Sequence, residues 1–287
     1  MPAFDALAVG LTASRTLAVG ALFVVFGTLL VATVIADPAA ANGSMAEPHR
    51  GFAALLRGAL LGAILGVGLW TGLQTEAMAP GEMLARAPTV LLQTNFGHLM
   101  LLRLGLLAAI GLALAAHRPR PAAALAGLAA ALQAAHLHAM AIGHGPSLLL
   151  ASEVLHVLAA ASWLGSLPAL LLVVTTARPG AATAAVRRFS VMAFSAVLVI
   201  GATAALQAVS LAGEPLSLAA TAYGRVCLAK AALFAALLAL AVRNQWRLRR
   251  GASAAALGGS IGTAIVLAAL ILALAVILSA MPPPSEA

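Results

Sequence analysis

Residues 256–280 read ALGGSIGTAIVLAALILALAVILSA, 25 positions with no charged side chain and no proline. As an α-helix this stretch rises about 37 Å at 1.5 Å per residue, enough to cross the roughly 30 Å hydrocarbon core of a bilayer. Working back toward the N-terminus, similar runs recur near 222–243, 188–212, 147–175, 122–142, 96–116, 52–73 and 15–36. The pattern predicts an all-α fold: a polytopic transmembrane helical bundle of about eight helices, organised as a single domain. Most prolines, among them Pro80, Pro119, Pro146, Pro179 and Pro215, fall between or just outside the runs. Pro168 alone lies inside one, and it predicts a kink in the fifth helix. Composition agrees, with 63% hydrophobic and 8% charged residues and a mean hydropathy of +1.06. A water-soluble domain runs near 45–50% apolar and about 25% charged, so that class is excluded. The first run is not read as a cleaved secretory signal, because Asp5 and no basic cluster precede it and it is long for that role.

The chain carries 15 Arg and one Lys against eight acids, a formal charge of +8. Connections 1/2, 3/4, 5/6 and 7/8 hold Arg50, Arg57, Arg118, Arg120, Arg178, Arg187, Arg188, Arg243, Arg247, Arg249 and Arg250. The opposite side holds Asp5, Glu76, Glu82, Glu214 and Glu286, with Arg15, Arg86 and Arg225 as its few basic residues. By the positive-inside rule the Arg-rich side is cytoplasmic and both termini are periplasmic, as in a bacterial inner-membrane protein. The basic excess is therefore a topogenic signal rather than a nucleic-acid footprint, and no basic patch interleaved with aromatics accompanies it. Cys227 is the one cysteine, which leaves no internal disulfide and no Cys-pair metal motif. Gly58, Gly62 and Gly66 form a small-residue stripe suited to close helix packing. No internal repeat is evident, and low complexity is limited to Ala/Leu richness suited to lipid.

Histidine carries the chemical signal. His49 and His117 lie on the cytoplasmic side, whereas His98, His136, His138, His144 and His156 fall in the outer halves of the third, fourth and fifth helices. An ionisable side chain at membrane depth needs a partner and usually marks a functional site. His136 lies roughly 10 Å below the outer surface, with Met140 one turn above it on the same face. Glu153 on the fifth helix comes to a similar depth, and His156, three residues on, shares its face. A short turn joins the two helices, so His136, Glu153 and His156, with His144 at the mouth, are candidate metal ligands open to the periplasm. His138 points about 200° away from His136 on a regular helix, so it either meets His98 on helix three or only hydrogen-bonds. Met78, Met83, Met100, Met140 and Met281 add thioethers on the outer side, though Met is also ordinary apolar filler. Imidazole with thioether suits copper, Cu(I) above all, whereas Glu153 suits a divalent ion such as Cu(II). Arg103 and Lys230 lie too deep to be simple anchors, and a Glu153–Lys230 ion pair competes with a metal role for the glutamate. Cys227 is either a thiolate ligand or apolar filler, and Trp163 and Tyr223 fit packing or interfacial roles.

These residues resemble the copper resistance protein D (CopD) family of bacterial inner-membrane proteins. The likeness rests on TNFGHLMLLRLGLL (94–107), GHGPSLLLASEVLHVLAAASWLGSLPAL (143–170), RRFSVMAFSAVLV (187–199) and TAYGRVCLAKAALFAALLALAVRNQW (221–246), in that order. They are similar to the family's Thr-x-Phe-Gly with a following Arg-Leu, its Gly-His loop with a His-x6-Trp-x-Gly helix, its Arg-Phe-Ser helix start, and its Tyr-Gly-Arg with a following Lys and Asn. By position, Arg103, His144, His156, Trp163 and Lys230 are motif residues. The resemblance implies an eight-helix copper-handling membrane protein that works with the periplasmic copper-binding protein CopC and often moves copper inward. A soluble CopC-like domain of its own is not expected here, so a separate donor or uptake of free ion stays open.

Function is expected to be copper capture on the periplasmic side followed by passage toward the cytoplasm. Few polar residues are available to continue the path inward: Thr203, Gln207 and Ser195 on helix six, and Ser162 and Ser166 on helix five. A membrane copper store or sensor needs only the outer site. A b-type cytochrome, with haem between His136 or His138 and His98 or His156, meets the bare ligand requirement but has no matched pair on the inner side. An enzyme is not expected, since no nucleophile motif, phosphate loop or HExxH signature is present.

Overall fold

The computed structural model describes residues 6–36, 46–136, 146–211 and 221–281, and among these residues there are helices and turns but no strand. Helix α1 (Ala6–Leu30) continues through a π-helical turn, Val31–Ile35, and α2 (Ala46–Met78) returns beside it. A short α3 (Met83–Gln93) leads into α4 (Asn95–Ala115), and α5 (Pro119–Ala131) ends in a 3-10 turn, Leu132–His136. Next come α6 (Pro146–Leu164), α7 (Leu167–Thr176), α8 (Pro179–Leu211) and α9 (Ala222–Arg249). A 3-10 turn, Ala254–Leu257, opens α10 (Gly258–Leu278).

Seven stretches of the described residues are long and apolar enough to cross a membrane, α6 and α7 counting as one. The chain is an all-α, multi-pass bundle. The fourth helix expected from the sequence is present as α5 and its 3-10 turn, while residues 137–145, over which it was expected to end, lie outside the described part. The α1 span and the α6–α7 span form the centre, with 56% and 61% of their apolar windows buried against at most 28% for the others. Lipid-facing side chains of the outer spans need no protein partner, which is why so apolar a chain buries so little of itself.

The kink foreseen at Pro168 is a full break. α6 stops at Leu164, and α7 begins at Leu167 with Pro168 in its first turn, where the missing N–H costs nothing. Glycine makes the break a packing site: a Cβ on Gly165 would overlap the Phe23 carbonyl of α1, and one on Gly27 would overlap the Gly165–Ser166 backbone. The Ser166 hydroxyl lies 2.6 Å from Ser162 O and 3.1 Å from Gly27 O, so its one hydrogen is shared between its own segment and α1. The α2 glycine stripe packs only in part. A Cβ on Gly66 would come within 2.5 Å of Ala18 N on α1, whereas Gly58 faces open space.

Two features were not expected. Residues 74–95 contain α3, too short for a span, carrying Pro88 and anchored by an Arg86–Glu82 pair at 2.7 Å. It packs against α2 and α4. A search for span-length apolar runs passes over an 11-residue helix. The second is an internal repeat. Thr94, Phe96, Gly97 and Arg103 on α4 recur at identical spacing as Thr221, Tyr223, Gly224 and Lys230 on α9. In both, the threonine is the N-cap and its hydroxyl accepts from the glycine N–H, at 2.9 Å and 3.0 Å. The preceding α2 and α8 are each 33 residues long. The motif thus recurs in the same sense in the two halves of the chain, the first running through α5 and the second from α6 onward. Apolar residues interchange freely in lipid, so only caps and charges keep the register of such a repeat visible.

Candidate functional site

Between the halves lies a cavity of about 190 Å³. The first half contributes Arg15 and Phe23 of α1, Trp70 of α2 and Gln133 of the 3-10 turn. From the second half come Glu153 and His156 of α6, Gln207 of α8, and Tyr223 and Lys230 of α9, with the outer end of α10 as an apolar wall. All lie toward the end of the bundle that bears the termini. Counting from Pro146 at about 1.5 Å per residue, Glu153 lies about 10 Å and His156 about 15 Å along α6.

His156 is oriented by α8. Its Nδ1 lies 2.9 Å from Thr203 Oγ1, and that hydroxyl in turn lies 2.7 Å from Val199 O and 3.1 Å from Ile200 O. A threonine hydroxyl has one hydrogen. With that hydrogen directed at its own helix, the hydroxyl accepts from His156 Nδ1–H, leaving the Nε2 lone pair for the cavity. This is the arrangement by which an outer partner fixes the tautomer of a ligating imidazole. Thr203→Val is expected to lower copper affinity about tenfold or more while leaving the fold intact, measured by chelator competition. An unchanged affinity would show that His156 orientation is irrelevant to the metal.

Glu153 and Lys230 face the same cavity near enough for their charges to interact, yet no ion pair joins them. On the other side, Arg103 is 2% exposed and donates from Nη2 to Gln133 Oε1 at 2.9 Å and to Leu132 O at 3.3 Å. The guanidinium carbons of Arg15 and Arg103 each lie 5.1 Å from the centre of the Trp70 ring, within cation–π range. Arg15 also donates to Ser279 Oγ at 2.8 Å.

The remaining candidates are dispersed. His98 is exposed, with Nε2 2.9 Å from Leu92 O, and does not line the cavity. The 3-10 turn ends at His136, whose side chain lies outside the described part, as do His138, Met140 and His144. Met100 is fully buried in the core of the first half, as filler. Trp163 packs edge-on against Phe234 at 5.9 Å in the core of the second half, away from the cavity. Gln207, expected to continue the path inward, lines the cavity instead, and Thr203 stands behind it, bonded to His156. The reason is direction: α8 rises from the Arg-rich end, so its last turns reach the level of His156. Ser162 and Ser166 are bonded to backbone carbonyls and do not line the cavity, and Ser195 is bonded to Val191 O. Arg15, Trp70, Gln133 and Tyr223 were missed as cavity residues. The repeated Thr-x-aromatic-Gly with a cation six residues after the glycine was the signal that pointed to Tyr223.

Among the described residues no three His, Cys, Asp or Glu side chains meet in a group able to hold a metal ion. Glu153 and His156 supply two donors on one face, so a complete coordination shell needs ligands from elsewhere. No curated protein and no solved structure matches the chain. Two family matches cover most of the chain, with α6 and α7 between them: residues 5–147 match the family described as copper resistance protein D-like, N-terminal domain, and residues 183–280 match copper resistance protein D. Two matches in consecutive order, spanning most of a multi-pass helical bundle, establish that the chain belongs to the copper resistance protein D family.

Proposed function

We propose that the chain captures copper at the periplasmic face of a bacterial inner membrane and carries it toward the cytoplasm. The observation that carries this reading is the Glu153–His156 face: two ligand-type side chains one turn apart, the imidazole oriented by Thr203, both lining the cavity between the halves. In this reading His136, His138, Met140 and His144 take the ion first, as Cu(I) or Cu(II), from a CopC-like donor or free from the periplasm. They pass it to Glu153 and His156. No covalent chemistry is required, so the protein acts as a carrier and not as an enzyme. An inside-negative potential favours cation entry by about 2.3 kcal/mol per charge per 100 mV, and this supplies a driving force without nucleotide hydrolysis.

One observation favours a second reading, a membrane copper store or sensor. On the inward side the cavity ends on Phe23, Ala160 and Leu164, and no polar side chain among them continues the path. Haem fits less well. At about 190 Å³ the cavity is smaller than the roughly 300–1,000 Å³ that holds a drug-sized ligand, and His98 does not face His156 across it. The test is copper uptake into proteoliposomes by the intact protein beside His136→Ala, Glu153→Ala and His156→Ala variants. Uptake by the intact protein that falls in the variants supports the carrier. Equal uptake in all four removes the site, and binding without uptake in the intact protein leaves storage or sensing.

A further inference from the structure

The cavity holds more positive charge and more hydrogen-bond donors than its own residues balance. Arg15 and Lys230 line it, and Arg103 stands behind Trp70 and Gln133. Against the two lining cations, Glu153 is the one carboxylate lining it among the described residues. Unbalanced charge in a low-dielectric interior is costly, and the usual remedy is a counter-ion. The donors are unbalanced in the same direction. Gln207 Nε2, which belongs to a lining residue, is buried without an acceptor. Nor is the excess incidental to one helix. The repeat places a cation nine residues after the capping threonine in both halves, as Arg103 and as Lys230.

From this charge and donor surplus we infer that the cavity binds a small monovalent anion of the halide class, chloride being the common one, held by Lys230 Nζ and Gln207 Nε2 and faced by Arg15. A halide only accepts hydrogen bonds, which matches the lining Lys230 ammonium and the unpartnered Gln207 Nε2. The volume admits such an ion with a few waters, beside apolar walls from α1 and α10. The inference does not depend on copper reaching the cavity. It does bear on that reading, since an anion among these cations lowers the barrier they raise against an approaching metal cation.

Trp70 gives a copper-free test. Trp163 is buried away from the cavity, so a Trp246→Phe background, which removes the exposed indole, leaves Trp70 as the one indole lining it. The full chain in phosphatidylcholine nanodiscs is titrated with iodide at ionic strength held constant with sulfate, and tryptophan emission is followed. Quenching is expected to saturate, to be reversed by chloride, to weaken about tenfold in Lys230→Met, and to persist in Lys230→Arg. Gln207→Leu removes an unpartnered donor without disturbing a bond of the fold, and is expected to weaken quenching severalfold. Quenching that rises linearly with iodide, ignores chloride and is equal in the intact protein, Lys230→Met and Gln207→Leu would overturn the inference. Copper uptake is not read in this experiment, so its outcome stands apart from the carrier hypothesis.

Discussion

Copper affinity is expected to fall by more than about a hundredfold in a Glu153→Ala/His156→Ala double variant, measured by competition with a chelator of known strength. The expectation follows from the position of the two side chains rather than from their identity alone. They share one face of α6 at the depth of the cavity, and His156 Nδ1 is bonded to Thr203, so that Nε2 is presented. Because the two act on one ion, their effects are not additive, and each single variant is expected to cost most of what the double costs. An affinity unchanged in the double variant would move copper binding to residues 136–144 alone and make the cavity a bystander.

A second large effect is expected far from any ligand. Gly165→Leu should lower the melting temperature in detergent by roughly 5–10 °C, or prevent assembly, because the new side chain must displace the Phe23 carbonyl of α1. Backbone cannot move aside as the end of a flexible side chain can. Gly27→Leu meets the Gly165–Ser166 backbone from the other direction and is expected to behave alike. Gly58→Leu, with nothing within 4 Å of the added Cβ, is the control and should melt as the unaltered protein does. Equal melting of Gly165→Leu and Gly58→Leu would mean that α1 does not pack tightly against the α6–α7 break. Both central spans line the cavity, so loosening their contact is also expected to weaken whatever the cavity binds.

Much of this molecule can be read without coordinates, and the reason is the solvent. Lipid admits no unsatisfied backbone, so an apolar run of 20 or more residues has one structural outcome, and arginine at alternate ends settles its direction. The cost of an ionisable side chain in lipid made Glu153 and His156 stand out, and helical spacing predicts that they share one face. Short elements were less legible. α3 has too few apolar residues to register as a span, and the break before Pro168 appeared only as a kink because the glycine and serine beside it carry no periodic signal.

The repeat lay in plain view in the sequence and was overlooked, because it is written in a threonine, a glycine, an aromatic and a cation within long stretches of interchangeable alanine and leucine. By itself the sequence determined the all-α membrane architecture, the alternation of its spans, the family and the ligand-type residues of α6. Tertiary structure alone decided which residues share a cavity. It brought Arg15, Trp70, Gln133 and Gln207 to the level of Glu153 and His156, and it left His98 and Trp163 outside. The reason is that hydropathy fixes how deep a residue lies, whereas the face it turns and the helix it meets depend on contacts such as Gly27 against Gly165, which no single helix encodes.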